Sequence, residues 1–197
     1  MTRLSFALIL ILVVSGCALK PDPVLPAPHT RARAVVFDID GTLTPDVKSI
    51  YSVRPDAAKA VQLYADRGFT VIYLSARIKL FQSGIPGWLQ KNNFPEGPIH
   101  VPETRADAEN HAAFKTRILK AYQKKGWILT DAYGDSTTDF EAYRSVGIPT
   151  QHIFALQRRG DSLCRPGDWN RCLENWGEQL DYIQKTAPSA PPGYHPE

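Results

Sequence analysis

The stretch Ala34-Val35-Val36-Phe37-Asp38-Ile39-Asp40-Gly41-Thr42-Leu43-Thr44 constrains this chain more than any other. An apolar run dense in β-branched and aromatic residues, stopped by a glycine, reads as a buried strand ending in a tight turn. Two aspartates, one residue apart, stand at its carboxyl end, the edge at which an open α/β sheet receives its ligands. Carboxylates this close repel each other unless a cation or a proton lies between them. A lone Asp-x-Asp-Gly is more often a polar strand end. Here strand, glycine turn and Thr42 come as one unit, and a site is the better reading.

Downstream, strand patterns alternate with helical ones. Pro55 opens a helix through about Gly68, with Ala58, Val61, Leu63 and Tyr64 at apolar positions. Thr70 to Leu74 is a second buried strand, ending in Ser75-Ala76-Arg77. Pro86 and Gly87 interrupt the next segment, leaving a short helix from Trp88 to Asn93, and Pro98 to Val101 is a weak third strand. Asp107 to Lys125 predicts one amphipathic helix, with Phe114, Ile118, Leu119 and Tyr122 on its apolar face. Trp127 to Tyr133 is a fourth strand that runs into Gly134-Asp135; Ser136 or Thr137 can cap a helix to Val146. Thr150 to Leu156 is a fifth strand, and Leu173 to Lys185 a last helix. Such alternation predicts a doubly wound parallel sheet of α/β class, Rossmann-like. The segments between motifs leave room for a minimal cap at most, so the site should be open.

The ends of the chain read differently. Met1-Thr2-Arg3 carries one positive charge, Leu4 to Val14 is apolar, and Ser15-Gly16 precede Cys17. This is the pattern of a secretory signal, too short for a permanent membrane span. Val14-Ser15-Gly16-Cys17 also resembles a bacterial lipobox, in which Cys17 is acylated and residues 1–16 are removed. An ordinary signal peptide cut nearby and an uncleaved anchor are the alternatives. With Ala18 rather than Asp after the cysteine, a lipoprotein of the outer membrane facing the periplasm is expected. Pro21, Pro23, Pro26 and Pro28 make residues 17–32 a semi-rigid tether. The domain should then run over 33–186, followed by a disordered Pro-rich tail at 187–197. Cys164 and Cys172 are left as a disulfide pair suited to an oxidising compartment, stabilising by about 2–3 kcal/mol. The formal net charge of +3 is spread along the chain, which gives nucleic acid no footing as a partner. A monomer is expected.

The sheet edge should gather Asp38 and Asp40, Ser75, Lys115, and Asp135 with Asp139. Carboxylates, a hydroxyl and an ammonium are the kit for Mg²⁺-assisted phosphoryl transfer, because Mg²⁺ takes hard oxygen ligands and keeps several waters. One aspartate can attack a phosphoryl group and form an aspartyl-phosphate. The other can protonate the leaving alkoxide and later deprotonate water. Singly, each residue has a structural explanation: a strand end, a solvated lysine, a turn or a cap. Their order and spacing together point to chemistry.

The first motif resembles that of the haloacid-dehalogenase (HAD) superfamily. Phe37-Asp38-Ile39-Asp40-Gly41-Thr42, Leu74-Ser75-Ala76-Arg77 and Gly134-Asp135-Ser136-Thr137-Thr138-Asp139 together resemble the catalytic domain of lipins, Mg²⁺-dependent phosphatidate phosphatases. Gly97-Pro98, Phe114-Lys115, Ala142 to Pro149, Ile153-Phe154 and Arg159-Gly160-Asp161 extend the likeness over about 33–162. The resemblance implies Asp38 as nucleophile and Asp40 as acid/base. Ser75 and Lys115 would hold the phosphoryl group and Thr42 would steady the loop. Asp38, Asp40 (through its carbonyl), Asp135 and Asp139 would serve Mg²⁺. Lys115 is preferred to Lys120 because Phe114-Lys115 fits the family pattern. Asp135 departs from the Asn usual in lipins, and the lipin amino-terminal amphipathic region is missing, with Cys17 lipidation as a substitute. Related domains of phosphatidylinositol transfer proteins lack the nucleophile. Three readings follow: a phosphatase acting on phosphatidate or a related lipid phosphate, an exported acid phosphatase acting on soluble phosphomonoesters, and a phosphatidate-binding module.

Overall fold

The computed structural model describes residues 19–28 and 32–185. The leader 1–16, Cys17 with its lipidation, and the tail 187–197 lie outside the described residues. The first strand, β1 (Arg33–Phe37), is followed by α1 (Ala57–Ala65) and β2 (Thr70–Leu74). Two short helices come next, α2 (Lys79–Gln82) and α3 (Ile85–Lys91), then a two-residue strand, β3 (Ile99–His100). After α4 (Arg105–Glu109) and α5 (His111–Lys124), β4 (Ile128–Gly134) leads into α6 (Thr137–Ser145). The chain finishes with β5 (Ile153–Leu156), β6 (Arg171–Leu173) and α7 (Gly177–Lys185).

The six strands form one parallel sheet in the order β3-β2-β1-β4-β5-β6. Alternate residues of the central strands feed two cores. Val35, Phe37, Tyr73, Tyr133 and Phe154 pack with α1, α3 and α7 on one face. Val36, Ile72, Leu74, Ala132 and Ile153 pack with α5 and α6 on the other. The order reverses direction beside β1, so the carboxyl ends of β1 and β4 lie at a crevice. Among the described residues no helix is long and apolar enough to cross a membrane.

Five elements differ from the sequence expectation, each for a local reason. The helix expected from Trp88 to Asn93 runs over Ile85–Lys91, with Pro86 in its first turn, where a missing N–H breaks no helical bond. The helix expected over 107–125 is two helices. Thr104 and Asp107 form a reciprocal capping box that starts α4 early, and Asn110 leaves helical geometry to cap α5 by accepting the Ala113 N–H. The fifth strand begins at Ile153, because Thr150–His152 forms a 3₁₀ turn after Pro149. An unexpected β6 takes Leu173, which delays the last helix to Gly177; Cys172 within it is bonded to Cys164 with Cα atoms 5.7 Å apart. The proline-rich residues 19–28, expected to stand off as a tether, lie along the domain instead. Asp22 donates its N–H to the Ile99 carbonyl and accepts the Ile99 N–H at 2.8 Å. Ala27 N–H donates to the Lys125 carbonyl and the Trp127 indole to the Leu25 carbonyl. Prolines have no N–H to give, so pairing falls to the residues between them.

His100, at the end of β3, is buried and 2.7 Å from the Tyr122 hydroxyl. Burial pushes its imidazole down to about 4. Below the ordinary pKa of 6.5 the unfolded chain takes up a proton that the folded one refuses, so this stability is full above pH 6.5 and is lost down to pH 4. Urea titrations at pH 7 and pH 4 should show the wild type losing about 3 kcal/mol more than His100→Gln across that window.

Candidate active site

The turn after β1 is built around the Ile39 carbonyl, which accepts N–H groups from Thr42, Leu43 and Thr44. Gly41 has φ +92°, and a Cβ there would stand 2.0 Å from an Asp135 carboxylate oxygen. No other residue fits that approach. Thr44, rather than the expected Thr42, steadies the loop: its hydroxyl accepts the Gly41 N–H at 2.8 Å. Arg54, buried, donates to the Gly41, Gln157 and Glu174 carbonyls and ties this loop to the ends of β5 and β6. The Thr42 hydroxyl is buried with no hydrogen-bond partner.

Asp38 extends β1, its N–H donating to the Tyr133 carbonyl of β4. Lys115 crosses from α5 fully buried and donates to Asp38 Oδ1 at 2.5 Å and to Asp139 Oδ1. Asp139 opens α6; its other oxygen accepts the N–H groups of Asp135 and Ser136 and the Ser136 hydroxyl. Asp135 receives Nε of Arg158 from the loop after β5. Oxygens of Asp38, Asp135 and Asp139 lie within 4.8 Å of one another, and Asp38 Oδ2 has no partner although it is buried. Burial holds the Asp38 carboxyl well above its ordinary range against the pull of Lys115, and Asp139, Asp135 and Asp40 push the same way as burial. Burial and Asp139 raise Asp135 to about 6 despite Arg158.

Asp40 stands apart from this cluster. Arg77 grips its carboxylate with Nε at 3.1 Å and Nη2 at 2.7 Å, and the Ser75 hydroxyl donates to it at 2.9 Å. Of the four residues expected to serve a metal, the structure therefore gathers three by their side chains, with the Asp40 side chain held aside. Ser75 reaches the site through Asp40, and Lys115 through Asp38 and Asp139. Arg77, Arg158, Arg54 and Thr44 were not singled out from sequence. Arg77 stood inside the quoted Leu74-Ser75-Ala76-Arg77 motif, and only the geometry shows its hold on Asp40.

Four carboxylates here are ion-paired with three side-chain cations, Lys115, Arg77 and Arg158, and a fourth, the buried Arg54, feels the charge of Asp135. A converging set of carboxylate oxygens, one of them orphaned, fits a hard divalent cation such as Mg²⁺. Thermal unfolding should therefore show a higher midpoint with Mg²⁺ than with chelator. Because burial and like charge make the Asp135 anion costly, Asp135→Asn should unfold at a higher temperature than wild type in chelator at pH 7 and should show a smaller Mg²⁺ gain, its amide oxygen being an uncharged ligand.

The chain matches a family model, PITM 1–3, LNS2 domain, over residues 35–157. Membrane-associated phosphatidylinositol transfer protein 3 of Mus musculus is 31% identical over 155 residues, 75% of this chain and 15% of that protein. Protein retinal degeneration B of Drosophila melanogaster is 30% identical, over 77% of this chain and 12% of that protein. The chain thus spans only a small part of these relatives. Among solved structures, one described as a HAD-like phosphatase from Mesorhizobium loti aligns with a TM-score of 0.57 at 15% identity, covering 85% of this chain and 90% of that one. D,D-heptose 1,7-bisphosphate phosphatase from B. bronchiseptica, complexed with magnesium and phosphate, aligns at 0.53 and 15% identity, covering 79% and 99%. At such identity the likeness is one of fold. The sequence resemblance named lipins, whereas the matched family is the LNS2 domain of transfer proteins. On a HAD-like α/β fold, this chain belongs to the LNS2 domain family of PITM 1–3.

Proposed function

We propose that the chain is a phosphomonoester hydrolase that works through an aspartyl-phosphate on Asp38, with phosphatidate or a related lipid phosphate as substrate. The observation that carries this reading is the buried Asp38 Oδ2, free of partners while Lys115 holds Oδ1. That oxygen attacks phosphorus, and the substrate alcohol departs with a proton from Asp40. Water then attacks the aspartyl-phosphate and gives a proton to Asp40, releasing phosphate and restoring the Asp38 carboxylate and the Asp40 carboxylic acid. Arg77 and Ser75 fix the orientation of the Asp40 carboxyl group. The Thr42 hydroxyl offers a buried donor to a phosphoryl oxygen. Asp38, Asp135 and Asp139 would hold Mg²⁺, which when bound offsets the repulsion between the Asp38 anion and a phosphate dianion.

Membership of the LNS2 family supports the lipid class, since relatives such as the mouse protein are named as membrane-associated phosphatidylinositol transfer proteins. That same membership favours, as a second reading, a phosphatidate-binding module. An exported lipoprotein anchored through Cys17 on the outer membrane, facing the periplasm, is part of the proposal. The Cys164–Cys172 disulfide supports export to an oxidising compartment.

The test is phosphate release from phosphatidate in mixed micelles by the full chain, with Mg²⁺ and with chelator. Mg²⁺-dependent release should fall by about three orders of magnitude or more in Asp38→Asn. Release from a soluble phosphomonoester alone would keep the mechanism and change the substrate. Silence on both, with phosphatidate still bound, would establish the binding module.

A further inference from the structure

From the placement of exposed apolar and cationic side chains around the catalytic residues, we infer that the loops at this edge form a docking surface for an anionic phospholipid bilayer; this deepens the proposed lipid-phosphate reading and rests on it for the substrate.

Most large apolar residues exposed among the described ones sit on one rim. The loop after β1 carries Val47, Tyr51 and Val53; the segment after β2 carries Ile78, Leu80 and Phe81; the loop after β5 carries Leu163. Tyr51, Leu80 and Leu163 are 70%, 67% and 76% exposed, so these are not edges of the core. Single exposed leucines are ordinary on a soluble protein, whereas a cluster of them marks an interaction site.

The three loops touch. Arg77 donates to the Ile50 carbonyl and the Trp88 indole to the Tyr51 carbonyl, joining the first loop to the second. Arg159 donates its N–H to the Pro45 carbonyl and its guanidinium to Asp46 and Ser49, joining the first to the third. The residues that hold the chemistry leave from the same strand ends: Asp38 and Asp40, Ser75 and Arg77, Arg158. A cleft of about 1080 Å³ beside Leu89, Phe94 and Trp127 lies at the opposite, amino-terminal edge of the sheet.

In α2 the usual polarity of a surface helix is reversed. Its buried residue is Gln82, whose amide donates to the Arg77 and Pro102 carbonyls, while Leu80 and Phe81 face outward. In water the apolar side of such a turn would pack inward. Outward apolar side chains flanked by cations suit the boundary between headgroups and acyl chains. Lys48 and Lys79 are exposed on this rim and have no ionic partner among the described residues. On the first loop, Asp46 is occupied by Arg159 and Asp40 by Arg77. The rim therefore presents positive charge, complementary to an anionic leaflet. Apolar side chains distributed over three loops around the catalytic residues fit a continuous surface better than a single helix or strand of a protein partner. Docked this way, the site faces the headgroup layer, and a lipid phosphate reaches Asp38 without leaving the bilayer.

Two full-chain variants, Ile78→Ser/Leu80→Ser and Lys48→Glu/Lys79→Glu, test this. Each is assayed on phosphatidate in phosphatidylglycerol–phosphatidylcholine vesicles and on soluble p-nitrophenyl phosphate. Amide hydrogen exchange over 45–53 and 78–84 is followed with and without vesicles. Vesicle turnover should fall at least about tenfold in either variant while soluble turnover stays within about twofold, and vesicles should protect those amides in wild type only. An amino-terminal lipid anchor would bring every variant to the vesicle alike, so a difference between variants reports the rim. Unchanged vesicle turnover and exchange, with soluble hydrolysis intact, would overturn the docking surface and leave the hydrolase standing. Rim-dependent protection with no hydrolysis of either substrate would keep the surface and remove the hydrolase. Rim-dependent binding of a soluble protein without vesicle protection would overturn the bilayer as occupant.

Discussion

One buried ammonium between two carboxylates sets the terms for everything near it. Lys115 is shared by Asp38 and Asp139, and Asp135 joins them, ion-paired with Arg158 and within reach of the charges of Lys115 and Arg54. Charges so far from water persist only when hydrogen-bonded and paired. The neighbourhood is arranged accordingly. Asp139 spends an oxygen on capping α6, Gly41 brings its backbone against Asp135 where no Cβ fits, and at Gly134 a Cβ would stand 2.5 Å from that of Asp139. With Asp38 Oδ2 left without a partner in such a setting, the cluster fits a bound cation.

The fold was legible because its signals are local. β1 and β2 are buried on both faces and read as near-continuous apolar runs. β6 was not legible. It is three residues long, only Leu173 in it is buried, and it exists by pairing with β5 in a loop stapled by Cys164–Cys172. The break at Asn110 was hidden because the apolar residues of α5 keep helical spacing up to it, and a capping role is decided by one backbone torsion pair.

Much the same division holds at the site. Asp38, Asp40, Asp135 and Asp139 were readable because each stands beside a glycine turn or a helix start in a fixed pattern. The arginines were not, since a guanidinium on a long side chain can reach many places. Arg158 crosses from one loop to Asp135, and Arg54 reaches three segments distant in sequence. Conversely, Thr42 was readable as part of the motif, but its hydroxyl is left without a protein partner while Thr44 does the steadying.

The proline-rich segment beside β3 has a consequence for how copies of this chain meet. An open sheet ends in two strands whose outer N–H and C=O groups invite another strand to add. On one side Asp22 occupies both polar groups of Ile99, and the prolines around it cannot continue a ladder. On the other, β6 is three residues long, carries an exposed Arg171, and is bent into its loop by the disulfide. Both margins are thus closed to templated growth. The chain can be crowded on a surface at high local density without its sheets fusing end to end into fibrils.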